Sequence, residues 1–388
     1  MPLRKCLAKR VKTKNIALFF ISIMLIFLMS KATITLATTK GINSESYNRL
    51  FFVLFINNNE NPFWRLTKTA AEKAAKDLNI NLQVVSLNNN PLRPLRVLST
   101  LLSSPRKPDA ILFSNMKNTG RSILELLEKH KIHSFIYDNG FPANDKIGLP
   151  GSEFLFWQAE LLSNNETASR KLTLELIDTA RQNNQGELPL SLIALEGSPS
   201  SEVNAERLRG MYNALKTNQG NIIIKQVFRT HWDPKHAKNA TLSAHRRYPK
   251  TSLIWAANDE IAISATNAMI ELGRVPGKDV FISGFDRLPR TLQRIEQGEI
   301  VNSYGGHYMS AAWGIVYMFD FYNGFNLAHR SMEFPLTDRR TFSPVRYDKE
   351  IRQAQFEKID FKIFSKTLTP TTAPYDFLLP PEEVKMSQ

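Results

Sequence analysis

The stretch LFFVLFI (50–56), followed by NNNENPFWRLTKTAAEKAAKDL (57–78), decides the fold. A continuous apolar run of strand length marks a strand buried on both faces, the habit of parallel sheets. Pro62 then opens a helix, at the one place where its missing N–H costs nothing. Leu66, Ala70, Ala74 and Leu78 recur behind it at helical spacing. A strand, a polar loop and an amphipathic helix together form the first half of a right-handed crossover.

The rhythm continues outward from this unit. Strands are expected at 81–87, 109–113 and 132–138, with helices at 91–103 and 119–130 between them. It breaks at the Pro/Gly-rich stretch 140–153 and resumes with a long helix at 164–182. Strands at 188–195, 222–228, 251–257, 279–285 and near 300–304 then alternate with helices at 200–216, 234–247, 259–272 and 287–297. Two such sets predict an α/β chain of two doubly wound parallel-sheet lobes joined by a hinge. The interruption at 140–163 is the expected crossing. It gives an N-terminal lobe of 48–140, completed by about 305–330 with a helix at 308–321, and a C-terminal lobe of 141–304. Residues 331–388 read as an irregular C-terminal extension packed on the body.

Composition narrows the function classes. The chain has 388 residues, 43% of them hydrophobic, and a single Cys, which excludes a disulfide framework or a cysteine-built zinc site. Its formal charge of +14 is concentrated at the front. Arg4, Lys5, Lys9, Arg10, Lys12 and Lys14 precede the apolar run IALFFISIMLIFLM (16–29), and Thr35-Leu36-Ala37 offers a small-residue exit. This is the pattern of a secretory signal peptide, 1–37, cleaved near Ala37. Its fourteen-residue apolar run is short for a membrane span of ~20 residues. Removal lowers the charge to +7 and leaves no Cys. The expected location is the periplasm.

Open α/β sheets bind ligands beyond the carboxyl ends of their strands, so two facing sheets make a cleft that closes by hinge motion. Five short motifs stand at those strand ends, in order. They are Asn61-Pro62-Phe63-Trp64, Asp138-Asn139, Arg207-Leu-Arg-Gly210, Asn258-Asp259-Glu260 and Gly284-Phe285-Asp286, with Trp232 after the sixth predicted strand. In this arrangement residues 48–325 resemble the type I periplasmic sugar-binding proteins, the family of the ribose- and autoinducer-2-binding proteins and of LacI-type effector domains. One departure is visible. Where the family commonly carries Gln after its last short strand, this chain has Gly305, followed by Gly306 and His307.

The resemblance implies a ligand site of Phe63, Trp64, Asp138, Arg207, Trp232, Asn258 and Asp286. Aromatic faces would sandwich a sugar ring, carboxylates would accept its hydroxyl protons, and Arg207 would donate. Each residue also has a plainer reading. Asn258 and Asp286 stand where they can cap the helices that follow, Phe63 and Trp64 where they can staple a helix start. Arg207 fits a solvated helix face, Asp138 a loop, and Asn57 and Asn59 a turn.

No nucleophile motif, phosphate loop or dinucleotide fingerprint follows any strand, so neither an enzyme nor a cofactor is expected. The pairs His130/His133 and His231/His236 read as surface histidines, and no metal site is expected. Scattered basic pairs such as Arg246/Arg247 form no stripe for nucleic acid, and the signal peptide stands where a repressor would carry its DNA-binding helices. The resemblance implies a solute-binding protein that closes on a small polar ligand, a sugar or sugar-like molecule, and a monomer is the default expectation. Its membrane partner would be the permease of an ABC importer or, alternatively, a sensor kinase or cyclase.

Overall fold

The computed structural model describes residues 49–183, 189–218, 221–325, 330–338, 346–375 and 377. The expected signal peptide, 1–37, lies outside them.

Eleven strands of the described residues form two parallel sheets. The first has the order β11-β5-β4-β3-β1-β2, with β1 (Phe51–Ile56), β2 (Asn81–Ser86), β3 (Ala110–Phe113), β4 (His133–Asp138), β5 (Trp157–Ser163) and β11 (Ser331–Phe334). The second has the order β10-β9-β8-β6-β7, with β6 (Leu190–Glu196), β7 (Ile222–Arg229), β8 (Leu253–Ala256), β9 (Phe281–Asp286) and β10 (Asn302–Gly305). The first sheet carries α1 (Pro62–Asp77), α2 (Arg93–Leu102), α3 (Gly120–His130) and α9 (Ser310–Tyr322). The second carries α4 (Asn165–Asn183), α5 (Glu202–Lys216), α6 (Pro234–Arg247), α7 (Asp259–Glu271) and α8 (Pro289–Glu296).

The apolar run that opened the sequence reading is the centre of the first lobe. Every residue of β1 is buried, because helices cover both faces of its sheet. Phe52, Leu54 and Ile56 enter one core, while Phe51, Val53 and Phe55 enter a second with Leu98, Ile123 and Leu127 of α2 and α3. The edge strands β2 and β7 instead alternate between exposed and covered residues, as strands paired on one side do.

The crossing is not at residue 140. β5 pairs with β4, so the chain stays in the first sheet until Ser163 and enters the second lobe with Asn165 at the start of α4. Trp157-Gln-Ala-Glu-Leu-Leu-Ser163 escaped the strand reading because Gln158 and Glu160 break its apolar run although both are buried. Glu160 is held there by the Ser331 hydroxyl, which donates to Oε1 at 2.7 Å. Ser331 belongs to β11, which pairs in parallel with β5. The extension therefore begins as a strand of the first sheet rather than as irregular chain.

Further described residues of the extension are fixed to α9 and α1. Trp313 of α9 meets Phe361, Phe364 and Phe377, the last stacked at 4.7 Å with its plane only 3° off. The buried carboxylate of Asp320 accepts from the Ser365 hydroxyl, the Lys366 and Thr367 amides and the Tyr375 hydroxyl. Asp77 of α1 accepts from the Phe361 amide at 2.9 Å. Removing the fully buried Phe377 ring leaves a cavity against Trp313, so Phe377→Ala is expected to cost about 3–5 kcal/mol in urea denaturation. A loss below about 1 kcal/mol would mean that the extension is not part of the cooperative core.

Candidate ligand-binding cleft

The carboxyl ends of the two sheets face one another, and the side chains there are built in by close backbone approach. In Arg207-Leu-Arg-Gly210 the glycine is a packing residue. A Cβ at Gly210 would lie 2.2 Å from the Glu166 carbonyl, so only glycine lets α5 settle onto α4. That contact lodges Arg207 in the interior, 2% exposed. Its Nε donates to Asn165 Oδ1 at 2.9 Å, Nη1 to the Ala257 carbonyl at 2.7 Å, and Nη2 to His307 Nε2 at 3.2 Å. The guanidinium lies 4.5 Å over the Phe285 ring, and Nη1 is 3.7 Å from Asp286 Oδ1. The solvated-face reading of Arg207 is corrected by this burial.

Asp138 ends β4 in one lobe, and Asp286 ends β9 in the other. Both have positive φ, 66° and 105°. Non-glycine residues take up such conformations at a cost, and they gather at binding sites. Asp286 caps no helix: Leu288 occupies the N-cap of α8. Its position is set by Asp259, whose Oδ2 accepts from the Leu288 amide and whose Oδ1 accepts from the Ser303 hydroxyl, each at 2.7 Å. The glycine found where a Gln was expected has the same kind of origin. Gly305 pairs with Asp286, and a Cβ there would lie 2.1 Å from the Asp286 carbonyl carbon.

His307, two residues on, brings the lobes together. Its ring is 2% exposed and packs on Phe63 at 4.7 Å between centroids. Besides Arg207, its Nε2 lies 3.4 Å from Asp286 Oδ1 and 3.8 Å from Asp138 Oδ1. Sequence reasoning had noticed this histidine only as a departure from the family pattern. A second bridge was also missed: Asn139 Oδ1 accepts from the Ser201 hydroxyl and the Val203 amide across the cleft, at 3.1 and 3.0 Å.

The structure thus gathers Phe63, Asp138, Arg207 and Asp286 around His307. Trp64 packs edge-on to Phe63 at 5.0 Å and lies 6.3 Å from Tyr137. Asn258 caps α7, its Oδ1 accepting from the Ile261 amide at 3.0 Å, while the neighbouring carbonyl, of Ala257, holds Arg207. Trp232 sits apart, over Gly197 at the end of β6, where a Cβ would lie 2.3 Å from its ring. Trp232 and His231 both have positive φ, 63° and 54°.

Burial dominates the electrostatics. It pushes the Asp138 carboxyl up to about 7, with Arg207 pulling the other way. Asp286 is raised well above the usual carboxylate range for the same reason, against the same guanidinium. His307 is held well below its ordinary value by burial and then by Arg207 and Arg287. Arg207 is lowered by burial, against Asp286 and Asp138.

A carboxyl at about 7 in the folded protein and near 3.8 unfolded binds more protons folded between those values. Its contribution to stability is complete below pH 3.8 and is lost as pH rises through about 7. Asp138→Asn removes that loss. The unliganded variant should gain on the natural protein by up to about 4 kcal/mol between pH 4 and pH 8, read from urea denaturation at each pH. Parallel stability curves would show that Asp138 is not buried in this way.

The comparisons with known proteins agree with this architecture. A family model for the periplasmic binding protein domain matches residues 52–322. The ribose import binding protein RbsB of Salmonella typhimurium is 23% identical over 277 residues, covering 69% of this chain and 82% of that protein. The galactofuranose-binding protein YtfQ of Escherichia coli is 22% identical over 240 residues, covering 61% and 71%. Among solved structures, a periplasmic sugar-binding protein from Pseudomonas fluorescens superposes with a TM-score of 0.73 at 24% identity, covering 84% of this chain and 97% of that one. The Caulobacter myo-inositol binding protein, bound to myo-inositol, superposes at 0.66 with 16% identity, covering 82% and 100%. With its two parallel sheets and a family match over most of its length, this chain belongs to the periplasmic binding protein domain family.

Proposed function

We propose that this chain is an extracytoplasmic solute-binding protein that closes on a small polyhydroxyl ligand, a sugar or sugar-like molecule, and presents it to an ABC importer. The observation that carries the reading is the buried meeting of Asp138, Arg207, Asp286 and His307 between the lobes. Carboxylates accept from hydroxyls and a guanidinium donates to them, so a ligand lined with hydroxyl groups satisfies both. The ring of Phe63 offers a flat apolar face beside them. A buried polar site of this kind discriminates strongly, because a ligand lacking one hydroxyl leaves a desolvated group unpaired.

Ligand bonds to Asp138 in one lobe and to Arg207 and Asp286 in the other favour the closed form over the open one. That differential is the only means by which a ligand shifts such an equilibrium. Support for the sugar class comes from the relatives, named for ribose, galactofuranose and myo-inositol. The relative named for import lends the same support to a transporter partner. On this reading Asn258 and Trp232 line the rim, and the protein works as a monomer in the periplasm after loss of residues 1–37.

The test is a thermal-shift screen of residues 38–388 against ribose, galactose, allose, myo-inositol and related polyols. A ligand at 100 times its Kd should add about 2.7 kcal/mol of stability. Asp286→Asn should lose that shift while unfolding as cooperatively as the natural protein. Silence across the panel from a folded protein would sink the polyhydroxyl reading.

A further inference from the structure

Among the buried polar atoms without a partner in the described residues is one on His307, at the centre of the cleft. His307 Nε2 receives a hydrogen bond from Arg207 Nη2 at 3.2 Å. A guanidinium has no lone pair to offer and can only donate, so Nε2 must be the accepting nitrogen. The ring is neutral, being 2% exposed and flanked by Arg207 and Arg287, two permanent cations. A neutral imidazole carries one proton, and with Nε2 accepting, that proton sits on Nδ1. Nδ1 is itself buried and has no hydrogen-bond partner.

Such orphaned donors are rare in folded proteins because each forgoes its bond to water without replacing it. The neighbours explain why this one is kept. Phe63 covers the ring, and the groups facing its other nitrogen are the carboxylates and guanidinium to which a ligand is assigned above. The loop after β1 contributes a second orphan, Asn57 Oδ1, an acceptor.

Resting on the solute-binding reading, we infer that His307 is a specificity-determining residue whose Nδ1–H donates to an acceptor oxygen of the ligand. Arg207 fixes the tautomer and so fixes the sign of this contact. The ligand carries a hydroxyl, ring or carbonyl oxygen at that point. An ammonium group is rejected there, because it would set donor against donor. The two residues before His307 are glycines held by close approach to their neighbours. The first has no room for any side chain, and a Cβ on the second would lie 2.8 Å from Arg287 Nη2.

The experiment has a ligand-free arm and a ligand-bound arm. Two-bond 15N–1H spectra of protein labelled at histidine read the tautomer directly. In unliganded protein the His307 pattern should show a proton on Nδ1 and a bare Nε2, and a protonated Nε2 overturns the inference. This arm decides even when no compound of the sugar and polyol panel raises Tm, a result that removes the polyhydroxyl reading instead. With a compound that does raise Tm, its addition should move the Nδ1 resonance. The amide nitrogen of Asn falls near Nδ1 of the imidazole it replaces, and that of Gln near Nε2. His307→Asn should therefore bind the same compound within about tenfold of the natural protein, and His307→Gln about 10- to 100-fold more weakly than that. The reverse order, or equal losses in two variants with unchanged Tm, would show that His307 acts only by holding Arg207.

Discussion

A guanidinium that is 2% exposed is the constraint on which the rest of this structure turns. Bringing a charge out of water costs several kcal/mol even after relaxation, and the interior must return it through well-placed partners. Arg207 finds them at three separate points of the chain. Asn165 stands just after the first passage between lobes, Ala257 ends the strand region of β8, and His307 follows the return passage. Asp286 supplies the nearest countercharge and Asp138 a second from the opposite lobe. Those five residues lie far apart in sequence. Only a fold that aims the carboxyl ends of two parallel sheets at one another brings them to a single cation.

The backbone around that cation has little slack, and its glycines show where. Gly210 permits α5 to touch α4, Gly284 makes room for the Asp259 carboxylate, and Gly305 lets β10 lie against the Asp286 backbone. A Cβ at Gly284 would stand 2.7 Å from Asp259 Oδ1, the atom that holds Ser303. Asp259 thus belongs to the scaffold: it ties β10 and the start of α8 to its own helix. That scaffold in turn holds Asp286 at a positive φ which an aspartate would not choose. Strain at the two aspartates and burial of their carboxyls are both costs that this cluster carries, and on the proposed reading a ligand bonding those groups would relieve the second.

Much of this was legible in the sequence, and what was not has a physical reason. The apolar runs of β1, β3 and β8 could be read because these strands, covered on both faces, carry no polar residue. β5 hid behind Gln158 and Glu160, whose burial depends on a hydroxyl from Ser331, far along the chain. No local pattern carries that information. The motifs marked Asp138 and Asp286 as strand-end residues and Arg207 as a residue of the helix after β6, but not that one imidazole would meet all three. His307 looked like a substitute for nothing, since the position aligned with a polar side chain is a glycine. The signal was present in Gly305-Gly306-His307 as two places cleared of side chains before one large polar ring. Asn258 illustrates the reverse case, a motif residue with a plain structural duty as the cap of α7.

The same network makes the site sensitive to the hinge. The chain passes between the lobes at 163–165 and 305–307, and a third segment, 334–338, runs beside that junction. These segments are hydrogen-bonded to one another. Asn164 Oδ1 accepts from the Leu336 amide, the Asn164 amide donates to Phe334, and Gly305 and Thr337 exchange both backbone bonds. The buried Arg287 donates to the Thr337 hydroxyl from the C-terminal lobe. A junction bonded in this way bends as a unit more readily than it twists or slides, because twisting breaks several of those bonds together. Asn165 belongs to the first segment and holds Arg207 by its Nε, and His307 belongs to the second and holds it by Nη2. Bending at the junction therefore displaces two of the three groups that orient the guanidinium. On the proposed reading, opening and closing would change the binding site itself as well as access to it.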